Sequence, residues 1–234
     1  MPLVCALVVT GCSDDVVCSE ETTPYVSARV EEVGVSRAGS TYVHVYCSHD
    51  PLPGMLDVAV SDRELPDPAE AEDALGLFTS LSDTQVIWQP GTDCRLEVAT
   101  EYGIAEALEP VPGSFVVTAP ETVALDETLE LTWTESEDAD YYVVEAWLTG
   151  RRLTPSLERG PELDVAVEGT SVSLDLSELP GAGVLTGRVR AVAGPFPRSG
   201  SAGNMTGQGW GYFTVSYRDA GGEFQTVVRD GVVH

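Results

Sequence analysis

The sequence contains no lysine, and its positive charge comes from arginine alone. Twelve basic residues stand against 38 aspartate and glutamate residues, which gives a formal net charge of −26 at pH 7. Nucleic-acid binding and adsorption to anionic lipid both need basic residues opposite phosphate groups, so this composition argues against either partner. The same charge favours solubility and life in salt or divalent cations.

The sequence also lacks the residue patterns on which most catalytic and metal sites depend. Its three histidines are His44, His49 and His234, and no His-x-x-x-His or Cys-x-x-Cys pair offers a zinc site. The segment Gly169–Ser173 lacks the second glycine of a nucleophile elbow. No glycine-rich loop leads into a helix that could bind phosphate. We therefore expect no enzyme activity and no cofactor.

Long hydrophobic runs are absent, and the apolar segments are too short to span a bilayer. The first of them, Leu3–Val9, runs into Val9-Thr10-Gly11-Cys12 and then into polar, acidic residues. This pattern resembles the signal of bacterial lipoproteins, although Met1-Pro2-Leu3 lacks the basic residue with which such signals open. The resemblance implies that residues 1–11 are a signal peptide and that Cys12 carries the lipid. The alternative is an apolar N-terminus or a first β-strand.

The lipoprotein resemblance also implies a location and a partner. The protein would be exported and would meet the membrane through its N-terminal lipid, which holds because each buried methylene contributes about 0.8 kcal/mol. Ser13, rather than an aspartate, follows Cys12, which favours the outer membrane. Residues 12–24 are polar, end at a proline and predict a tether between the lipid and the first folded domain.

The remaining chain predicts an all-β fold of two β-sandwich domains with one short helix in the first. Apolar residues alternate with polar ones from Tyr25 onward, which predicts strands and a first sandwich over 25–105. Asp67-Pro68-Ala69-Glu70 combines an N-cap, a first-turn proline and a capping glutamate, and predicts a helix whose apolar stripe continues to Leu81. Residues 106–114 predict a linker. Residues 115–234 predict a second sandwich that ends in a hairpin.

The second sandwich resembles a fibronectin type III domain. The similarity rests on Leu131-Thr132-Trp133-Thr134, on Asp140–Glu145, and on a leucine, Leu179, shortly before a strand that contains Arg188–Val192. In that family the tryptophan packs against an aromatic residue of the next strand, and the leucine fills the end of the sandwich. The resemblance implies these roles for Trp133 and Leu179. Leu185 stands where the family usually has a tyrosine.

The first sandwich is similar to an immunoglobulin-like domain, with its cysteine-bearing strands in the B and F positions. Cys47 shares strand parity with Val43 and Val45, and Cys94 shares it with Leu96 and Val98, so both thiols should point inward. Because exported proteins form disulfides, we predict a Cys47–Cys94 bridge. Cys18 either remains unpaired or replaces one of the two partners.

Two segments are candidate binding sites. An acidic segment in the loop before Tyr141 predicts a calcium site, with a solvated loop as the alternative; its candidate ligands are Glu135, Glu137, Asp138 and Asp140. A glycine- and serine-rich segment before the last strands predicts a polar-aromatic surface for an unknown protein or glycan, with a connector whose tryptophan turns into the core as the alternative. Its candidate contacts are Arg198, Asn204, Gln208 and Trp210.

These observations favour a lipid-anchored cell-envelope protein that acts as a binding or scaffold module without catalysis. A scaffold fold does not by itself name a ligand. One alternative is a structural subunit of an envelope complex that offers an edge strand near residues 223–229. The other is a glycan-processing enzyme that uses a carboxylate pair.

Overall fold

The fold is described from a computed structural model. The structure describes residues 25–33, 38–47, 50–51, 57–61, 63–64, 72–73, 76–87, 89–100, 103–148, 151–152, 166–177, 179, 181–196 and 203–230. The predicted signal peptide, Cys12, Cys18, the tether and Arg198 lie outside these residues.

The described residues form twenty β-strands. The strands before residue 111 are β1 (Tyr25–Val33), β2 (Ala38–Cys47), β3 (Asp50–Pro51), β4 (Asp57–Val60), β5 (Arg63–Glu64), β6 (Glu72–Asp73), β7 (Gly76–Ile87), β8 (Asp93–Thr100) and β9 (Gly103–Pro110). The later strands are β10 (Val117–Thr118), β11 (Thr122–Ala124), β12 (Thr128–Trp133), β13 (Tyr141–Leu148), β14 (Arg151–Arg152), β15 (Ala166–Val167), β16 (Ser171–Asp175), β17 (Gly183–Ala193), β18 (Thr206–Gly207), β19 (Trp210–Tyr217) and β20 (Glu223–Arg229). A short 3-10 helix, Ala220–Gly222, separates β19 from β20.

The all-β sandwich prediction is confirmed. The first sandwich places the sheet β19-β1-β2-β7-β6 opposite the sheet β18-β9-β8-β4-β5, and one hydrophobic cluster lies between them. Strand parity assigns its core correctly, because Cys94, Leu96 and Val98 are buried while their neighbours along β8 are not.

The second sandwich places β10-β12-β16 opposite a sheet built on β13, β17, β20 and β11. Its core contains Leu129, Leu131 and Trp133 from β12, and the Trp133 ring lies 5.3 Å from that of Tyr142 on β13. Leu179 packs against the same core. These are the two contacts that the fibronectin type III resemblance implies.

The two sandwiches share strands. After β17 the chain adds β18 to one sheet of the first sandwich and β19 to the other, and then returns to the second sandwich as β20. β19 runs parallel to β1 over seven residue pairs, from Tyr25–Trp210 to Glu31–Ser216. It also pairs with the last three residues of β17, so that a single sheet continues from one sandwich into the other.

This arrangement corrects two expectations about the C-terminal part. The predicted hairpin is wrong, because β19 and β20 do not pair with each other but follow one another along the same edge of β17. The last strand of the second sandwich is β20, whereas β19 belongs mainly to the first. Between them, the 3-10 helix Ala220–Gly222 shifts the chain along the edge of β17 and does not reverse it.

The predicted helix in the first sandwich is also wrong. Residues 76–87 form β7, which pairs with β2, and the described part of the chain contains no α-helix. The predicted cap, residues 67–70, lies outside the described residues. The segment after Gly76 is rich in serine and β-branched residues, which favour a strand once a neighbouring edge is available. Within the described ranges, no helix has the length and apolar character needed to cross a membrane.

The predicted linker is hydrogen-bonded to both sandwiches. Residues 106–110 belong to β9, so only 111–114 connect the two cores. The amide of Val111 donates to the carbonyl of Thr92 at 2.9 Å, and that of Gly113 donates to the carbonyl of Glu137 at 2.7 Å. The connection is therefore hydrogen-bonded to one sandwich at each end.

The predicted Cys47–Cys94 disulfide is not present, because Cys94 is a free, buried thiol. Strands β2 and β8 lie in opposite sheets as expected, but parity fixes only the face of a residue and not its height. Inward-facing cysteines of opposite sheets therefore form a disulfide only where the registers of both sheets also bring them level.

Candidate functional site

The most exposed aromatic surface of the described residues lies on the first sandwich, where β1 begins beside β19. Tyr25 pairs with Trp210, and Ser27 pairs with Tyr212. The buried residues Val26, Ala28 and Val30 alternate with this series, so Tyr25, Trp210 and Tyr212 all face outward. We call these three residues the aromatic strip.

The rings of the aromatic strip contact one another edge to face. The ring of Tyr25 lies 4.5 Å from that of Trp210 and 6.3 Å from that of Tyr212, and both pairs are T-shaped. Such pairs add about 0.5–1.5 kcal/mol beyond area burial and hold each ring in a fixed orientation. Trp210 nevertheless keeps 56% of its surface exposed, so the alternative in which it turns into the core is wrong.

A glycine permits the close approach of the two strands that carry the strip. Gly211 has φ +138°, and a Cβ at this position would lie 1.9 Å from the carbonyl oxygen of Val26. Any other residue would therefore push β19 away from β1 at the point where Trp210 and Tyr25 meet.

Asn204 performs a structural role, in contrast to the ligand contact predicted for it. Its Nδ2 donates to Glu109 Oε1 at 2.5 Å and to the carbonyl of Phe213 at 2.8 Å, while its Oδ1 accepts from the amide of Phe213. The side chain of Asn204 thus takes the place of a backbone partner, because it bonds both the N–H and the carbonyl of Phe213 on β19. Burial raises the pKa of Glu109, and the bond from Asn204 acts against that rise.

The structure does not bring the predicted contact residues together. Gln208 lies across Gly103, where an added Cβ would be 1.7 Å from Gln208 Oε1. The backbone N–H of Gln208 donates to the carbonyl of Ile104 on β9, whereas Trp210 contacts Tyr25 on the opposite sheet. Of the three predicted residues that the structure describes, Asn204, Gln208 and Trp210, only Trp210 belongs to the strip.

Sequence reasoning missed Tyr25 and Tyr212. Tyr212 follows Trp210 by two residues, so strand parity would have placed both on one face. Tyr25 could not be found in that way, because its neighbour Trp210 is 185 positions away in a parallel pair that no local pattern indicates.

The predicted calcium ligands do not converge. No group of three or more histidine, cysteine, aspartate or glutamate residues within the described ranges, which include all four candidates, is arranged to hold a metal ion. Asp140 instead accepts a hydrogen bond from the amide of Gly194 at 2.7 Å. Ser136, inside the same loop, donates to the carbonyl of Gly113 at 2.6 Å. The loop therefore serves to attach the connection between the two cores.

A largely buried charge network joins the two sandwiches farther along β1, on the face of the sheet that also carries the strip. Arg190 on β17 binds Glu31 on β1 at 3.0 Å and approaches Glu145 on β13 at 3.8 Å, and Arg188 binds Glu145 at 2.5 Å. Burial raises the pKa of Glu31, but the guanidinium groups of Arg190 and Arg29 outweigh it and hold the pKa below its ordinary value of 4.5. The carboxylates are thus matched by arginines, which is the pattern of a structural network.

Comparisons with known proteins give similarity to solved structures only. No protein-family model matches the chain, and no curated protein matches it. The fibronectin(III)-like modules of Clostridium thermocellum CbhA align over 89% of this chain and 96% of theirs, with 10% identity and a TM-score of 0.27. The titin domains z1z2, solved in complex with telethonin, align over 90% and 98%, with 13% identity and a TM-score of 0.24.

A bacterial ice-binding adhesin that is retained at a host cell surface is also similar. It aligns over 90% of this chain and 66% of its own, with 12% identity and a TM-score of 0.23. The fold of the present chain is assigned from its own strands and cores.

Proposed function

We propose that this protein is a non-catalytic binding module of the bacterial cell envelope, anchored to the outer membrane by a lipid on Cys12, and that the aromatic strip is its contact surface for a glycan. The observation that carries the proposal is the exposed ring of Trp210, held against Tyr25, which also contacts Tyr212, on the outer face of a sheet. Flat aromatic faces suit the apolar faces of sugar rings, and binding sites of this kind are lined mainly by aromatic residues.

The position of the strip supports the combination of anchor and contact surface. Tyr25 is the first residue after the predicted tether, which begins at Cys12. Thirteen residue steps span at most about 45 Å, so a lipid on Cys12 keeps the strip close to the membrane and to the glycans attached there. The net charge of −26 opposes direct contact with anionic lipid, so the folded domains would lie above the headgroups and not on them.

The two alternatives receive less support from the described residues. A structural subunit would need an open edge near residues 223–229, yet residues 227–229 of β20 pair with β11 on one side while β20 pairs with β17 on the other. A carboxylate-pair enzyme would need two converging acids. In the described part, the buried Glu145 and the half-buried Glu31 are bound by arginine, and the half-buried Glu109 is bound by Asn204.

The anchor is tested by intact mass and membrane fractionation of the native protein beside a Cys12→Ser variant. We expect the wild-type protein to carry several acyl chains and to fractionate with the outer membrane, and the variant to be released. A wild-type protein that is soluble and keeps Met1 would overturn the anchor without bearing on the aromatic strip.

The contact surface is tested by co-sedimentation of the full chain with insoluble peptidoglycan sacculi. We expect the wild type to sediment and Trp210→Ala to lose several-fold in apparent affinity, since the ring provides the stacking face. Leu108→Ala, which truncates an apolar side chain on β9 with 57% of its surface exposed, is the matched control. Equal sedimentation of the wild type and Trp210→Ala, or none of either, would refute the glycan contact.

A further inference from the structure

A second candidate binding site lies on the outer face of the second sandwich. A groove of about 440 Å³ crosses β13, β17 and the start of β20, and its volume lies within the ~300–1,000 Å³ range of small-molecule sites. It is separate from the aromatic strip, and nothing in the proposed function uses it. Its polar and aromatic lining comprises Trp147, Thr186, Arg188, Arg218, Glu223 and Gln225.

The groove lies where positive charge collects in this acidic chain. Arg188 and Arg218 line it, and the register of β14 places Arg152 opposite Trp147. Three of the twelve basic residues are therefore at or beside this groove. In a chain of net charge −26, these arginines make the electrostatic potential at the groove more positive than that of the surrounding surface.

The two arginines of the groove are held in place before any ligand arrives. Arg188 Nε donates to Glu145 Oε2 at 2.5 Å, and its guanidinium carbon lies 5.3 Å from the centre of the Trp147 ring. Arg218 is bound to Glu223 across the other side of the groove. A ligand would therefore meet oriented donors and would not have to order them.

The lining determines the ligand chemistry. Guanidinium groups bind carboxylates through paired hydrogen bonds, whereas a side-chain amide and a hydroxyl, Gln225 and Thr186, suit the hydroxyl groups of a ligand. Trp147 provides an apolar wall. We propose that this groove binds a saccharide that carries a carboxylate group, with Arg188 and Arg218 recognising the carboxylate and Thr186 and Gln225 the hydroxyls.

The test is calorimetric titration of the full chain with a galacturonic acid trimer, beside the neutral galactose trimer. We expect the acidic trimer to bind, added salt to weaken it, and the neutral trimer to bind at least about tenfold more weakly. Arg218→Gln should weaken the acidic trimer about tenfold. Arg95→Gln is the matched control, because Arg95 is an exposed arginine bound to Glu106 on the first sandwich. Gln225→Ala tests the hydroxyl contact without removing a charge.

Each other result would overturn the proposal. No heat with the acidic trimer at millimolar concentration refutes the site, and equal binding of the neutral trimer refutes carboxylate recognition. Equal weakening by Arg95→Gln indicates nonspecific charge attraction. Trp210→Ala should leave this titration unchanged, so failure here and failure of the aromatic strip remain distinguishable. Circular dichroism and thermal melting of each variant separate lost binding from lost folding.

Discussion

The two hydrophobic cores differ in composition and in where their residues come from. The core of the second sandwich is rich in aromatic residues, Phe115, Trp133, Tyr142 and Phe224, and all its members fall between residues 115 and 228. The core of the first sandwich is mainly aliphatic, with Phe213 as the one phenylalanine, tyrosine or tryptophan among its buried described residues.

The first core also depends on the far end of the chain. Met205, Phe213 and Val215 belong to it, although its other members lie between residues 26 and 111. The first sandwich is therefore closed only when the chain has already passed through the second. The order of segments in a sequence therefore does not show which domain is complete on its own. Substitutions in the two cores should also destabilise different sets of strands.

Truncation of the largest shared side chain should have the largest effect. Phe213 is fully buried in the first core, and Phe213→Ala should lower the free energy of unfolding by about 3–5 kcal/mol. Hydrogen–deuterium exchange should show lost protection in β1, β8 and β9 and retained protection in β12 and β13. The matched variant is Leu185→Ala, which truncates a fully buried residue of the second core. Loss of protection in both sandwiches on Phe213→Ala would contradict separate cores.

The charge network at the junction should come next. Arg190→Met keeps the volume of the side chain but leaves Glu31 and Glu145 with one fewer cation, and should cost about 3 kcal/mol. This is the lower end of the usual range because Arg29 and Arg188 remain. Urea unfolding followed by circular dichroism measures the loss. A cost below about 1 kcal/mol would mean that the network adds little to the junction.

The same network predicts a pH dependence. The pKa of Glu31 is lower in the folded state than its ordinary value of 4.5, so the unfolded state binds the proton more readily. The stabilisation is present above pH 4.5 and is lost as the pH falls through the lower folded value. Urea unfolding at a series of pH values should therefore show a shallower acid slope for Glu31→Gln than for the wild type. Equal slopes would contradict the lowered pKa.

A glycine in the second sandwich should produce a smaller loss. A Cβ on Gly187 would lie 2.3 Å from the Phe224 ring and 2.5 Å from the carbonyl oxygen of Glu145. Gly187→Ala should cost about 1–3 kcal/mol because the backbone oxygen cannot move aside easily. Gly169→Ala is the control, since its Cβ would meet nothing within 4 Å. Thermal melting should place Gly187→Ala well below the wild type and Gly169→Ala at or slightly above it.

Local patterns predicted the parts of the fold that local physics decides. Alternation placed Cys94, Leu96 and Val98 in the core of the first sandwich, because a strand with one buried face must bury every second residue. The contact between Trp133 and Tyr142 followed from a family resemblance whose strands are also local.

Pairing between distant strands explains what could not be predicted. Residues 76–87 carry an apolar spacing that also fits a helix, and only the free edge of β2 makes them a strand. Cys94 has the correct face for a disulfide and is nevertheless a free thiol, because the face of a residue does not fix its height, which depends on the register of two sheets. The aromatic strip needs the parallel pairing of β1 with β19, so sequence reasoning found Trp210 and missed Tyr25.

Two buried hydroxyls give the finest comparison between the sandwiches. Thr226 in the second donates to the carbonyl of Pro120 at 2.9 Å, whereas the hydroxyl of Ser216, at the junction with the first, has no hydrogen-bond partner among the described residues. Thr226→Val should cost about 1–2 kcal/mol because it leaves that carbonyl unsatisfied. Ser216→Ala removes an unsatisfied buried group and should change the free energy of unfolding by less than about 0.5 kcal/mol, or raise it. Urea unfolding of both variants measures the difference. A clear loss on Ser216→Ala would mean that the junction binds this hydroxyl, through water for example, and that it is held together by more than the arginine network.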